Sequence, residues 1–192
     1  LTRHRGPERL IEDVYEVLGI QPGLTADAVI RDASDIDAAE RAELERLCRA
    51  WDEGAATNKG FAETVRGWLA MQPEHRALHW RDAVAGTFLK KDGDAKADKT
   101  LLSKDALAFD PDALGIAHAF ADSCMAVIDT LKAIETAEAT RALVHVGAAL
   151  TEAYEGIKAN HGRLDYDDLI ERASALLASP AGVSWVHCKR DG

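Results

Sequence analysis

Three carboxylates crowd one short stretch, Asp165, Asp167 and Asp168 in Gly162-Arg163-Leu164-Asp165-Tyr166-Asp167-Asp168-Leu169-Ile170, and clustered acids are what hard-metal binding requires. Successive helical positions point in different directions, so the three cannot all converge on one ion. Capping accounts for them instead. The Asp165 carboxylate can accept from the free N–H groups of the next turn, which is worth about 0.5–2 kcal/mol. Asp167 and Asp168 lie where the helix dipole favours negative charge. His75 and His79, four apart with Glu74 beside them, are the next candidates. Zincins place the Glu between the histidines, and spacing here supplies no third ligand, so no metal site is expected. His118 and His145 read as core-edge or surface residues. Gly93 to Thr100 mimics a phosphate-binding loop, but Asp98 stands where the second glycine belongs and no apolar strand precedes it. No catalytic residue and no nucleotide site are assigned to this chain.

Lysines supply the remaining chemistry. Between Leu89 and Lys104 five of them, Lys90, Lys91, Lys96, Lys99 and Lys104, face three aspartates, a local +2 in a chain of net charge −10. That overall balance repels a phosphate backbone, so any DNA contact must come from such a patch. The segment is either a solubilising turn or a phosphate contact. Trp51, Trp68, Trp80 and Trp185 could stack on bases, yet the first three fall on apolar stripes, which favours core packing.

The elements that would position these residues read as helix after helix. Leu10, Ile11, Val14, Tyr15 and Leu18 recur at helical spacing and Gly19 closes the element. Thr25 can cap a short helix carrying Val29 and Ile30. Asp37 with Glu40 forms a capping box ahead of Leu44, Leu47, Cys48 and Trp51. Phe61, Val65, Trp68 and Leu69 make the next stripe, stopped by Pro73. That proline opens a helix with Trp80, Val84 and Phe88 four apart. Residues 89–104 break the pattern with a polar, flexible stretch turning at Asp92-Gly93.

From about Asp112 to Asn160 no proline intervenes. One seam is Phe120, Cys124, Val127, Leu131 and Ile134; a second is Leu143, Val146, Leu150, Tyr154 and Ile157. The two are out of phase across Glu135 to Arg141, which leaves one long helix or a hairpin; one long helix, with Gly147 as the place for a bend, is the expectation. Gly162 ends it, and the last helix should bury Leu169, Ile170, Leu176 and Leu177. The fold class is all-α, a multi-helix bundle with one long helix and no substantial sheet.

Size and composition fit a globular domain that buries roughly 70% of its unfolded surface. Cys48, Cys124 and Cys188 are too few and too scattered for a disulfide framework or zinc knuckle. No apolar run approaches a membrane span. Leu1 to Leu10 has no signal-peptide core, so a cytoplasmic location is expected. Position 1 is not Met, which agrees with an internal stretch of a longer chain.

The segment "GRLDYDDLI", followed by Trp185-Val186 and Asp191-Gly192, resembles the stretch preceding the Walker B acidic strand in UvrD/RecB-type superfamily-one DNA helicases, most closely the AddA-type subunit of bacterial helicase–nucleases. Leu18 to Ile30 is similar to that family's "LG…P…T" segment, and Gly86 to Lys104 to its "FLT…G…RK…L.TK" segment. Tyr154, Lys158 and Gly162 match the family's "Y..LK…G.LDYDDLI" pattern. The middle patch departs from it, with Ala97-Asp98-Lys99 where the family has an Arg-Lys pair.

The resemblance implies a helical accessory 1B subdomain over residues 1–163, and a return toward the RecA-like motor over 164–192. It implies a parent that uses ATP and Mg²⁺ to unwind DNA in double-strand-break repair and recombination, together with a nuclease partner subunit. This stretch alone would have neither activity and would contact DNA weakly. A free-standing helical adaptor that binds a protein partner is the alternative.

Overall fold

The computed structural model describes residues 6–179; Trp185, Val186, Cys188, Asp191 and Gly192 of the sequence reading lie outside them. Among the described residues the chain is all-α, and its only extended pairing is one isolated antiparallel bridge between Leu89 and Ala95. The helices are α1 (Pro7–Leu18), α2 (Ala26–Ser34), α3 (Ala38–Asp52), α4 (Ala56–Leu69), α5 (Pro73–Trp80), α6 (Gly86–Phe88), α7 (Asp98–Leu101), α8 (Lys104–Phe109), α9 (Ala113–Asn160) and α10 (Tyr166–Ala178). A π turn, Arg81–Ala85, joins α5 to α6. The chain groups into two compact units, Leu1–Arg141 and Ala142–Gly192. The division expected at 163/164 therefore falls inside the second unit, between its two helices.

Local chemistry sets most helix ends. Gly19 takes the left-handed conformation (φ 66°) that lets its N–H close α1. The Thr25 hydroxyl accepts from the Ala28 N–H at 3.2 Å. Asp37 and Glu40 form the reciprocal capping box, with bonds of 2.7–2.9 Å.

The core of the first unit is built on α3 and α4. Leu44, Leu47, Cys48 and Trp51 are buried with Ala62, Val65 and Trp68, and Trp80, Val84 and Phe88 join them. A four-residue spacing overshoots an α-helical turn by about 40° per step. The wider π turn between Trp80 and Phe88 absorbs part of that drift, which keeps all three side chains on the buried line. Ala113, Ala117, Ala121 and Cys124 of α9 complete the cluster, small residues that admit a close helix approach. Phe120, beside that row, stacks on Phe88 with centroids 5.7 Å apart. Burial pushes the Cys48 thiol up to about 11 and the Cys124 thiol up to about 12, so both are inert free thiols. Further along α9, Leu131, Ile134 and Ala137 are buried, and the α1 residue Tyr15 donates its hydroxyl to Glu138 at 2.9 Å.

Buried polar groups pin the chain after α6. The Leu101 carbonyl accepts from Trp51 Nε1 at 2.6 Å and from Asn58 Nδ2 at 3.0 Å. Asn58 also donates to the Thr100 carbonyl and accepts from the Ser103 N–H at 2.9 Å. Gly54 leaves room for this network: a Cβ there would lie 2.6 Å from Asn58 Oδ1. The expectation of a flexible stretch over 89–104 is corrected. Its polar composition conceals fixed backbone partners, together with the buried Leu101 and Leu102.

The long helix is continuous from Ala113 to Asn160, so the hairpin is excluded. It contains an 18-residue window of mean hydropathy 1.3, long and apolar enough to cross a membrane by length and composition alone, which corrects the expectation that no run approaches that length. The second seam is not buried: Leu143, Val146, Leu150, Tyr154 and Ile157 are exposed, and so are Leu169, Ile170, Leu176 and Leu177 of α10. An apolar stripe buries only where another element covers it, and none among the described residues covers these.

Asn58→Ala removes two donated bonds and one acceptor at a fully buried position. It should lower unfolding stability by about 2–3 kcal/mol in a urea titration followed by circular dichroism. Arg76 sets up the opposite outcome. It is buried over the Trp68 ring, and its Nε and Nη1 have no hydrogen-bond partner. Arg76→Met should leave stability unchanged or raise it by about 1–3 kcal/mol in the same titration, because an uncompensated charge is removed from the interior.

Candidate functional site

Each unit holds one group of residues singled out by the sequence. In the first unit, Asp92-Gly93 turns the chain back, with Gly93 at φ 93°, and the Lys96 N–H reaches the Phe88 carbonyl at 2.9 Å. This geometry scatters the five lysines. Lys96 turns inward, donating to the Gly86 and Thr87 carbonyls, and its ammonium lies 4.7 Å from the centre of the Phe61 ring. Burial lowers its pKa. Lys90 pairs with Asp94 at 3.4 Å. Lys91, Lys99 and Lys104 are exposed.

Lys99 and Lys104 flank a cleft of about 470 Å³ lined by Leu102, Leu107 and Leu114. Asp98, at the start of α7, approaches His118 Nε2 at 2.8 Å, so the carboxylate that spoils the phosphate-loop pattern has a local partner. A lysine patch for phosphates thus reduces to Lys99 and Lys104, with Lys91 elsewhere on the turn. The sequence could not separate them, because a lysine's charge does not reveal which carbonyls its long stem reaches.

In the second unit the residues of the C-terminal motif form a single bonded joint. Gly162 adopts φ 61°, its N–H bonds the Ala159 carbonyl, and the Arg163 N–H returns to the Lys158 carbonyl at 3.1 Å, a Schellman closure of α9. Asp165 accepts from the Asp168 N–H and Asp168 from the Asp165 N–H, each at 2.9 Å. The cap is therefore reciprocal, and Asp168 is part of it, beyond any role in complementing the dipole. The buried Lys158 ammonium donates to Asp165 at 2.9 Å, to Asp168 at 2.8 Å and to Glu155 at 3.0 Å, and lies 4.9 Å from the Tyr154 ring centre. The Tyr154 hydroxyl donates to Asp165 at 3.3 Å.

Two of the three aspartates do converge, and the cation they meet is an ammonium. The hydrogen bond from the Asp168 backbone and the Lys158 ion pair hold the Asp165 carboxyl well below the usual carboxylate range. Lys158, led by its bond to Asp168, lowers the Asp168 carboxyl as well. Tyr166 and Asp167 are exposed. A lysine seven residues ahead of an acidic N-cap is the signal the sequence offers for this pairing.

Among the described residues no group of three His, Cys, Asp or Glu side chains is placed to hold a metal ion; His75 and His79 are both exposed. A cleft of about 750 Å³ lies between α2 and α5, with a lining spread over two helices that no single stretch of sequence reveals. Ile30, Ala77 and Leu78 line it, with Asp27, Asp35, Glu74, Arg31 and Arg81 also contributing. The hydroxyl of its one serine, Ser34, donates to the Ile30 carbonyl. Comparison with known protein families, with curated proteins and with solved structures returned no match.

The acid response of the joint follows from its carboxylates. Their folded pKa values lie below the unfolded ones, so their stabilisation is present above the unfolded value of about 3.9 and is lost as pH falls through and below it. Amide exchange at Asp168 should accelerate as pH drops below about 4, beyond the intrinsic pH dependence of exchange. Lys158→Gln should raise that exchange already at neutral pH, and an unchanged Asp168 protection factor in the variant would contradict the clamp.

Proposed function

We propose that this chain is a helical accessory stretch of a UvrD/RecB-type ATP-dependent DNA helicase–nuclease, of the 1B kind, acting in the cytoplasm in double-strand-break repair and recombination. ATP and Mg²⁺ belong to other parts of that parent, and a nuclease subunit is its partner. The role of this stretch is mechanical: it guides a DNA strand and carries no reaction of its own.

One observation carries the reading. Tyr154, Lys158, Gly162, Asp165 and Asp168, on which the resemblance rests in its most specific patch, are tied to one another by hydrogen bonds, ion pairs and a helix closure. A motif whose members brace each other is suited to transmitting force across a joint, and it leaves no side chain of that set free for catalysis. The lysine geometry fits a weak DNA contact through Lys99 and Lys104. A free-standing adaptor is the second reading, favoured by the uncovered large apolar side chains between Leu143 and Leu177. The encoding locus separates the two. The helicase reading expects codons beyond Gly192 for an apolar strand ending in Asp-Glu.

In solution the chain should bind single-stranded DNA weakly, with affinity falling steeply as salt rises, and Lys99→Ala with Lys104→Ala should weaken it further. Fluorescence anisotropy showing nanomolar affinity, or affinity indifferent to the two lysines, would overturn the guiding role. No ATP hydrolysis above background is expected; sustained turnover by the pure protein would overturn the assignment of the motor chemistry to other parts.

A further inference from the structure

The cleft of about 470 Å³ formed by α7, α8 and the start of α9 combines an apolar interior with a cationic mouth. Leu102 is buried, Leu114 is half-buried, and Leu107 is 38% exposed. Lys99 and Lys104 are exposed, and neither ammonium has an ion-pair or hydrogen-bond partner among the described residues. The one carboxylate of the lining, Asp98, is already held by His118. Its remaining polar side chain is Ser103, whose hydroxyl accepts the Ala55 N–H at 3.1 Å. The walls are fixed in advance, because the Ser103 N–H bonds Asn58 and the Leu102 N–H bonds the Asp98 carbonyl at 2.7 Å.

We propose that this cleft binds a single-chain amphiphilic anion, a medium-length alkyl carboxylate, with its head group at Lys99 and Lys104 and its chain against the leucines. Charge selects the head. The clefts of about 750 and 650 Å³ along α2 carry three carboxylates each, against two guanidiniums in the first and no cation in the second. Here two unpaired cations stand beside one acid that already has a partner. The interior selects the body. It offers leucine methyls and no aromatic ring, and its polar side chains other than the lysines are engaged. A sugar, a base or a peptide backbone would leave donors and acceptors unpaired there, whereas an alkyl chain has none to lose. Volume sets the length: a cavity of about 150 Å³ takes benzene, so this cleft has room for a chain of roughly ten carbons. The inference uses the two lysines of the helicase reading but does not depend on that reading.

Methyl-resolved NMR titration of the full chain with hexanoate, octanoate and decanoate, each below its micelle concentration, tests it. The methyls of Leu102, Leu107 and Leu114 should shift, and each added methylene should tighten the Kd by up to about fourfold. Decanol should bind less tightly than decanoate. Lys99→Gln with Lys104→Gln should weaken decanoate by roughly three- to tenfold and remove its advantage over decanol. Lys59→Gln with Lys91→Gln removes the same charge at two other exposed positions and should leave the Kd alone. Shifts confined to Leu143 and Leu150 would overturn the proposal, since uptake would then be by exposed side chains of α9. A Kd indifferent to chain length or to Lys99 and Lys104 would do so too, as would sulfate binding as tightly as decanoate. Capture by phosphatidylglycerol vesicles with no response to monomeric decanoate would equally overturn it. Failure here leaves the DNA and locus results to decide the helicase reading.

Discussion

A backbone carbonyl that receives two buried side-chain donors is a fixed point in a fold, since moving it leaves both donors unpaired in the interior. The Leu101 carbonyl has that position in the first unit. Trp51 brings α3 to it and Asn58 brings α4, so the two helices that make most of the core also hold the chain running from α6 to α8. Lys96 contributes from the other side by closing the carbonyls of Gly86 and Thr87. The placement of Lys99 and Lys104 beside their apolar cleft follows from these bonds. This basic segment of an acidic chain thereby has its backbone held in one conformation.

Helix content and most helix ends were legible, because apolar periodicity, Thr25, Asp37, Gly19, Pro73 and Gly162 act locally and need no tertiary information. The three tryptophans placed in the core were legible on the same ground. Two things were not. The 89–104 segment reads as a polar loop, since the bonds that order it come from side chains more than forty residues earlier in the sequence, Trp51 and Asn58. The fate of an apolar stripe is also invisible along the chain: Leu44 and Leu150 carry the same side chain at similar helical spacing, and only the presence of a covering element separates 1% exposure from 71%. At the candidate site, the cap at Asp165 was legible from residue type. Its lock by Lys158 required the return of the chain through Gly162.

The two units are held together by different physics. In the first, large side chains interdigitate and buried donors are nearly all paired, Arg76 being the exception among the described residues. In the second, the internal order is concentrated at one electrostatic joint, while its apolar side chains face outward. Packing of the first kind changes little with pH or ionic conditions. A joint of ion pairs, even a buried one, responds to both, so the two units are expected to differ in the solution conditions that loosen them.

The π turn at Arg81–Ala85 bears on how this chain could vary. Its widened loop of backbone holds one residue more than a regular helix needs between Trp80 and Phe88. Loss of a single codon there would heal the helix into ordinary winding and leave Trp80 and Phe88 seven residues apart, about 20° from the same face of a regular helix. Phe88 would keep its side toward Trp51 and Phe120. The irregular turn is therefore a place where this rod can lose a residue without turning its buried face, whereas the same loss in a regular turn would swing every later residue by about 100°.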